Sequence, residues 1–576
     1  MQVIYRGRSI ARWPSQVPEG DGDVLELLEN NWDDFGNKTT FGTICRVGGE
    51  TVELGSIRLM VEGQLTTATY FDQRRGAGWN GVFPLPEANY LSVPNEITFY
   101  EQLVSVLGAG VAITVATALR DASLLINTNQ DPRAVALIGT SAFRSSLQRE
   151  RGSEKAFLDG WMVFQRETMA VLDLGFHFRD VYGATSLLEL KFQPDTPFPH
   201  DVNVLIGANG AGKSQILHQI VGAWIDETGV EGIGFARKPN LSQLVVVSYS
   251  PFEMFPVDLQ DTKLLDKSIY RYFGLRGRSR SADPTQPDEL RLSYSVPKRD
   301  AAGSVLDCMA DDQRFKRISG WSSKLETMQQ VLRTAFDFDF VAVRVDGEPD
   351  AMSHLAGVLP ADTQITITGP RYAGYYAAVR SVDMDDYSVS AVRDRYIPEQ
   401  GVFFFKDGAP VELSSGQKLF SFIVINILGA IRRESLLLID EPELFLHPAL
   451  EIQFLGMLKR ILFRFNSKAL LATHSEVTVR EVPSACVHVL TRTDDGLVVH
   501  KPPFQTFGGD VQRISSYVFS DNTTSKPFER WILDQLDNFH GAEALIEALG
   551  DQINEELIIQ IRAQERLKRD ANPLWL

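Results

Sequence analysis

Cysteine is scarce in this chain: Cys45, Cys308 and Cys486 are the only three among 576 residues. None lies near another or at a zinc-type spacing, which excludes a disulfide framework and a cysteine metal knuckle and points to a reducing, cytoplasmic setting. Heptads are absent, which excludes a long coiled-coil arm. No fixed-period repeat or low-complexity block occurs either. The first twenty residues, "MQVIYRGRSIARWPSQVPEG", lack the apolar core of a secretory leader. Long hydrophobic runs are nearly missing. The one that needs weighing, Leu103 to Leu119, is 17 residues long and includes Gly, Ser and Thr. A membrane span takes about 20 strongly apolar residues, so burial in a soluble core and no membrane partner are expected. Basic charge is in deficit, 57 Lys+Arg against 74 Asp+Glu for a net −17. The surface as a whole is therefore no nucleic-acid coat, and phosphates would need a local basic groove.

What is present is ample core material, 44% hydrophobic and 23% charged residues, for two to four domains. Five segments are expected. Residues 1–165 form a mixed α+β accessory or interaction domain, in which "TVELGSIRLMVEG" and "QLTTATYFD" alternate like strands. Residues 166–255 begin an α/β lobe, 256–395 form a helical insertion, 396–515 complete the lobe, and 516–576 are a helical tail. The Asp407-Gly408 pair in "GVFFFKDGAPVEL" marks a hairpin turn.

The densest chemistry is "GANGAGKS", Gly207 to Ser214, which satisfies G-x-x-x-x-G-K-[ST] between an apolar strand and a helix. Such a loop curls so that backbone N–H groups from Gly207, Asn209, Gly210, Ala211, Gly212, Lys213, Ser214 and Gln215 surround phosphates at the positive end of a helix. Lys213 would reach the β- and γ-phosphates and Ser214 would ligate Mg2+. In "LLLIDEPE" an apolar strand delivers Asp440 to its carboxyl end, where it would hold Mg2+; Glu441 would activate water as general base. In "ATHSE" a further strand ends at His474, whose imidazole can donate to a phosphate oxygen and accept from the attacking water. Finally, "VELSSGQKLF" starts a helix: Ser414 and Ser415 are good caps, and Gly416 permits close approach of a ligand. This is either ordinary capping or a second anion site. The local loop already serves its own γ-phosphate, so a second site would serve the nucleotide of a partner subunit.

Taken in order, these residues resemble the ABC-type ATPase superfamily over roughly residues 166–500, with Leu413 to Gln417 as its signature. "IDEPELFLHPAL", with Glu443, Leu446, His447 and Pro448, and the "THS" triplet resemble its soluble OLD, RecF and Septu-like branch, ATPases of antiphage defence or DNA repair. The resemblance implies a P-loop fold, ATP and Mg2+, and a head-to-tail homodimer in which Ser415 and Gly416 touch the partner's γ-phosphate. The chain departs from that pattern at three places. Ser248, Tyr249 and Ser250 stand where the family usually has Gln; Gln417 stands where the branch often has Glu; Glu476 follows the triplet where Pro is frequent. The aromatics available to stack on adenine are Phe176, Phe178 and Tyr182.

A transporter motor is excluded by the gap of about 200 residues between Ser214 and Leu413, and by the missing span. A built-in nuclease of the OLD kind needs an Asp-x-Asp pair, and the 102 residues after His474 contain none. The expectation is an ATPase subunit that regulates a separately encoded effector, a nuclease or other toxin, in bacterial antiphage defence. The alternative is a DNA-associated ATPase of the RecF kind. There Arg271, Arg276, Arg278 and Arg280, interleaved with Tyr270, Tyr272 and Phe273, would hold nucleic acid; otherwise this segment is a solvated loop.

Overall fold

Short continuous apolar runs specify strands buried on both faces of a parallel sheet. In the computed structural model, seven strands lie in the order Tyr270–Gly274, Gln243–Ser248, Ser435–Asp440, Lys468–Thr473, Val202–Gly207, Val487–Thr493, Gly496–His500. All pair in parallel except the last, which is antiparallel. Val202–Gly207, Gln243–Ser248 and Ser435–Asp440 are buried along their whole length. Helices Lys213–Trp224, Ser415–Ala430 and Pro448–Arg464 are the crossover elements. A small antiparallel sheet, Thr185–Leu190, Leu174–Arg179 and Gly234–Phe235, shares a core with the Lys213–Trp224 helix. This is a mixed α/β, P-loop ATPase fold.

The structure describes residues 1–8, 22–29, 39–148, 150–165, 171–193, 196–225, 231–260, 269–279, 289–318, 321–347, 363–368, 371–379, 386–493, 496–519 and 527–571. They fall into two units, Met1–Gly508 and Gly509–Leu576. Within the first, the opening residues build their own sheet: Gln2–Arg8, Val24–Glu29, Thr40–Val47, Glu50–Val61, Tyr90–Pro94. Tyr5, Phe41, Phe71, Trp79 and Phe83 pack ring against ring beneath it. "QLTTATYFD", read as a strand, is instead largely a helix, Thr67–Gly76. Its buried Thr67, Ala68 and Phe71 share one helical face, and that packing overrides the β preference of the threonines. The apolar run from Leu103 divides between two ten-residue helices, Thr98–Leu107 and Ala109–Ala118, broken at Gly108 (φ +74°). Among the described residues no helix is long and apolar enough to cross a membrane.

The insertion supplies the helices Ser295–Phe315, Lys324–Leu332 and Asp386–Arg393, and strands as well. Its Tyr270–Gly274 segment is an edge strand of the main sheet. Phe340–Val345, Gln364–Ile367 and Gly374–Val379 form a second sheet with Val402–Lys406 and Ala409–Pro410. Asp407 and Gly408 turn that last hairpin with φ of +51° and +77°. The unit from Gly509 is helical among its described residues: Val511–Phe519, Pro527–Asn538, Ala542–Leu549 and Glu555–Ala571. Its core includes Ile532, Leu536, Leu545 and Ile561.

Candidate functional site

Three neighbouring strands end together: Ser435–Asp440, Lys468–Thr473 and Val202–Gly207. The carboxyl edge of a parallel sheet is where α/β proteins bind ligands. Sequence and sterics set the loop that follows Val202–Gly207. A Cβ at Gly207 would meet the Leu490 carbonyl oxygen at 2.4 Å, so only glycine permits this approach of the two strands. Gly212 caps the Lys213–Trp224 helix at φ +95°, a conformation that only glycine adopts without strain. Ala208, Asn209, Gly210 and Gln215 are exposed, whereas Ala211 is buried.

The side chains singled out in sequence converge here. Lys213 is buried, and its Nζ donates to the Gly207 carbonyl (3.0 Å) and lies 2.9 Å from His474 Nε2. The same imidazole nitrogen is 3.4 Å from Glu441 Oε1. Ser214 Oγ donates to Asp440 Oδ1 at 2.9 Å. Lys213 and Asp440 are buried, and Ser214, Glu441 and His474 are half-buried. Glu441 takes a left-handed backbone (φ +48°), rare for a residue with a Cβ. Burial brings Lys213 down to about 8, although the Glu441, Glu443 and Asp440 carboxylates oppose the change. Burial also raises Asp440 to about 7, with Glu441 and Glu443 adding like charge. Glu441 goes the other way, held below the usual carboxylate range by its hydrogen bond with His474.

These residues fit a magnesium ion. Oxygens that are neighbours in an octahedron of 2.0–2.1 Å bonds lie about 3.0 Å apart, and Ser214 Oγ and Asp440 Oδ1 already stand at 2.9 Å. Among the described residues no group of three His, Cys, Asp or Glu forms a metal cage.

Sequence reasoning gave no chemical role to two residues that belong here. Glu443, half-buried, accepts the His474 backbone N–H on Oε1 at 2.6 Å and so sets the position of the imidazole. The visible signal was its spacing in "DEPE". Arg492, from the adjacent Val487–Thr493 strand, donates to the Gly210 carbonyl of the phosphate loop; no motif marks it. His447 caps the Pro448–Arg464 helix through its Nδ1 (3.3 Å to Ala449 N), which is a structural task.

Of the three adenine-stacking aromatics, Phe176 and Phe178 are wholly buried and cannot meet a base. Tyr182 is 57% exposed, and Val181 beside it touches the space over Gly212. Ser414 caps its helix in a reciprocal pair with Gln417 (3.3 and 3.0 Å). Ser414 and Ser415 are exposed and Gly416 half-buried. Among the described residues no hydrogen bond or ion pair joins these three to the phosphate-loop cluster.

The arginine-rich segment is not a solvated loop. Arg278 forms a two-pronged ion pair with Asp258 (2.7 and 3.1 Å). Arg276 donates to the Phe255 carbonyl (3.1 Å) and lies 3.8 Å from Glu253. Arg271 is exposed, and Arg280 lies outside the described residues.

A family model described as "AAA domain, putative AbiEii toxin, Type IV TA system" matches residues 371–480, the stretch that holds the signature, Asp440, Glu441 and His474. The chain is 22% identical over 575 residues to protein ea59 of Escherichia phage lambda, covering 96% of each. Among solved structures it is similar to the SMC head domain from Thermotoga maritima, with 12% identity and a TM-score of 0.25 over 58% of this chain and 100% of that one. It is also similar to UvrA2 from Deinococcus radiodurans, with 11% identity and a TM-score of 0.23 over 62% of this chain and 59% of that one. With its phosphate loop, paired carboxylates and histidine gathered on one sheet edge, the chain carries a P-loop ATPase domain.

Proposed function

We propose that this protein binds and hydrolyses ATP with Mg2+, dimerises head to tail around the nucleotide, and thereby controls a separately encoded effector, a nuclease or other toxin, in bacterial antiphage defence. The observation that carries the chemistry is the contact of Lys213, His474 and Glu441 around one point, with Ser214 and Asp440 beside it.

Ser214 and Asp440 would hold the metal ion, whose charge would offset that of the phosphates. Lys213, released from the Gly207 carbonyl and His474, would bind the β- and γ-phosphate oxygens. Glu441, held ionised, would take a proton from the attacking water as its oxygen bonds to the γ-phosphorus. The bond to the β–γ bridging oxygen breaks, leaving ADP and phosphate. His474 would hydrogen-bond a γ-phosphate oxygen.

Dimerisation is supported by the exposed start of the Ser415–Ala430 helix, an anion-binding end that the phosphate-loop cluster of its own chain does not engage. The description of the matching family model supports a toxin-linked setting, and the near full-length likeness to a phage-encoded protein supports a phage-related one. The competing DNA reading loses ground, because Arg276 and Arg278 are committed to Glu253, Asp258 and a backbone carbonyl.

The test is Glu441→Gln. With ATP and Mg2+ the variant should accumulate as a dimer by light scattering, and its hydrolysis should fall at least about a hundredfold, the scale of a lost general base. A variant that stays monomeric, or hydrolyses at the wild-type rate, would sink the composite-site reading. Isolating the native complex and identifying what copurifies tests the effector.

A further inference from the structure

The Gln243–Ser248 strand runs beside Ser435–Asp440, and its last residue, Ser248, pairs in register with Asp440. Side chains alternate between the faces of a strand. Leu244 and Val246 pack in one core cluster with Leu436, Leu438, Ile216 and Leu217, on the side of the phosphate-loop helix. Continuing both alternations by two residues places Ser248 and Asp440 on that same face, on strands spaced about 4.8 Å apart. Tyr249 is the check: its fully buried hydroxyl lies by Asn426 of the Ser415–Ala430 helix instead.

Ser248 is completely buried, yet its hydroxyl has no hydrogen-bond partner in the protein. A hydroxyl left unpaired in a protein interior is unfavourable, and such groups normally find a partner in protein, water or ligand. Alanine or valine would fill the same space at the end of "QLVVVS" without that penalty. The hydroxyl both donates and accepts, which is what a metal-bound water requires.

We propose that the Ser248 hydroxyl anchors a water of the Mg2+ held by Ser214 and Asp440, making Ser248 a positioning residue for the metal–nucleotide complex. This rests on the ATP and Mg2+ reading above. The residue adds no charge beside Asp440, so it orients the metal's water shell and leaves the nucleotide's other contacts alone.

The experiment uses the full chain with Mn2+ as a spectroscopic probe, titrated by electron paramagnetic resonance in the presence of ATP, alongside ATP binding in EDTA. Wild type, Ser248→Ala and Ser248→Thr are compared. Ser248→Ala should weaken Mn2+ binding to the ATP-loaded protein about tenfold, as loss of an outer-shell partner does. ATP binding in EDTA should stay within about twofold of wild type, and Ser248→Thr, which keeps a hydroxyl, should recover most of the Mn2+ affinity. Unchanged Mn2+ affinity in Ser248→Ala overturns the proposal, as does a parallel loss of ATP binding in EDTA. If wild type itself takes up no ATP, the ATPase reading falls along with it.

Discussion

Tyr182 and Asp121 show how single side chains can be tested apart from the catalytic cluster. Tyr182 is the only one of the three candidate aromatics left exposed, and it stands next to the residue that covers Gly212. A base stacked on an aromatic ring gains about 1–3 kcal/mol. Tyr182→Ala should therefore weaken ATP binding about fivefold or more, while Tyr182→Trp keeps it; equal affinity for all three by fluorescence titration would remove Tyr182 from the site. Asp121 is fully buried and pushed up to about 7, chiefly by desolvation. Its carboxyl accepts the Leu124 N–H at 2.9 Å and the Tyr100 hydroxyl at 2.8 Å. The fold thus holds a proton that the unfolded chain releases near pH 4. The stability this adds is complete below that pH and is lost as pH rises towards 7. Urea midpoints measured at pH 5 and 7.5 should fall more steeply for wild type than for Asp121→Asn. Parallel slopes would show that Asp121 does not carry this dependence.

Between elements the decisive contacts are backbone approaches. Gly429, near the end of the Ser415–Ala430 helix, lies against Ser304 of the Ser295–Phe315 helix. A Cβ there would meet Ser304 Cβ at 2.5 Å and its Cα at 2.7 Å. Alanine normally favours a helix over glycine by about 1 kcal/mol, but here overpacking of about 1–3 kcal/mol opposes it, and two of the three blocking atoms, Ser304 Cα and its carbonyl oxygen, are backbone. Gly429→Ala should lower the denaturation midpoint, and a raised midpoint would show that the helices can part without cost. This crossing was invisible in the sequence, where Gly429 is one glycine in an apolar run. The phosphate loop, Asp440, Glu441 and His474 were legible because each follows a continuous apolar strand and needs only local spacing. "QLTTATYFD" was misread because three threonines favour a strand locally, whereas Phe71 is buried on a helical face that distant aromatics create. The arginine-rich segment was left between two readings because the partners of Arg276 and Arg278, Glu253 and Asp258, come from a preceding stretch with no motif. Ser248 was visible only as a departure, since its register with Asp440 belongs to the sheet.

At the scale of the Met1–Gly508 unit, the N-terminal module meets the ATPase sheet at the strand ends opposite the candidate site. Lys155, 5% exposed, lies 2.5 Å from Glu434, 3.2 Å from Asp159 and 2.9 Å from the Asn240 carbonyl. Glu434 immediately precedes the strand that carries Asp440, and Asn240 lies three residues before Gln243–Ser248. Arg433 pairs with Glu101 at 2.5 Å, and Arg432 lies 3.5 Å from Glu96, so the joint is ionic across several pairs. Burial holds Glu101, Asp159 and Glu434 above the ordinary carboxylate range, so their charged forms depend on the cations beside them. Removing one partner of a buried ion pair costs about 3–5 kcal/mol, because the other charge is left uncompensated. Lys155→Met should therefore destabilise the chain by about that amount in guanidinium titrations. Adding Glu434→Gln should restore part of it, since one stranded carboxylate is then gone. A Lys155→Met loss below about 1 kcal/mol, the range of exposed pairs, or a double variant whose losses simply add, would mean that the joint is hydrated and that its ion pairs do not hold the module to the sheet.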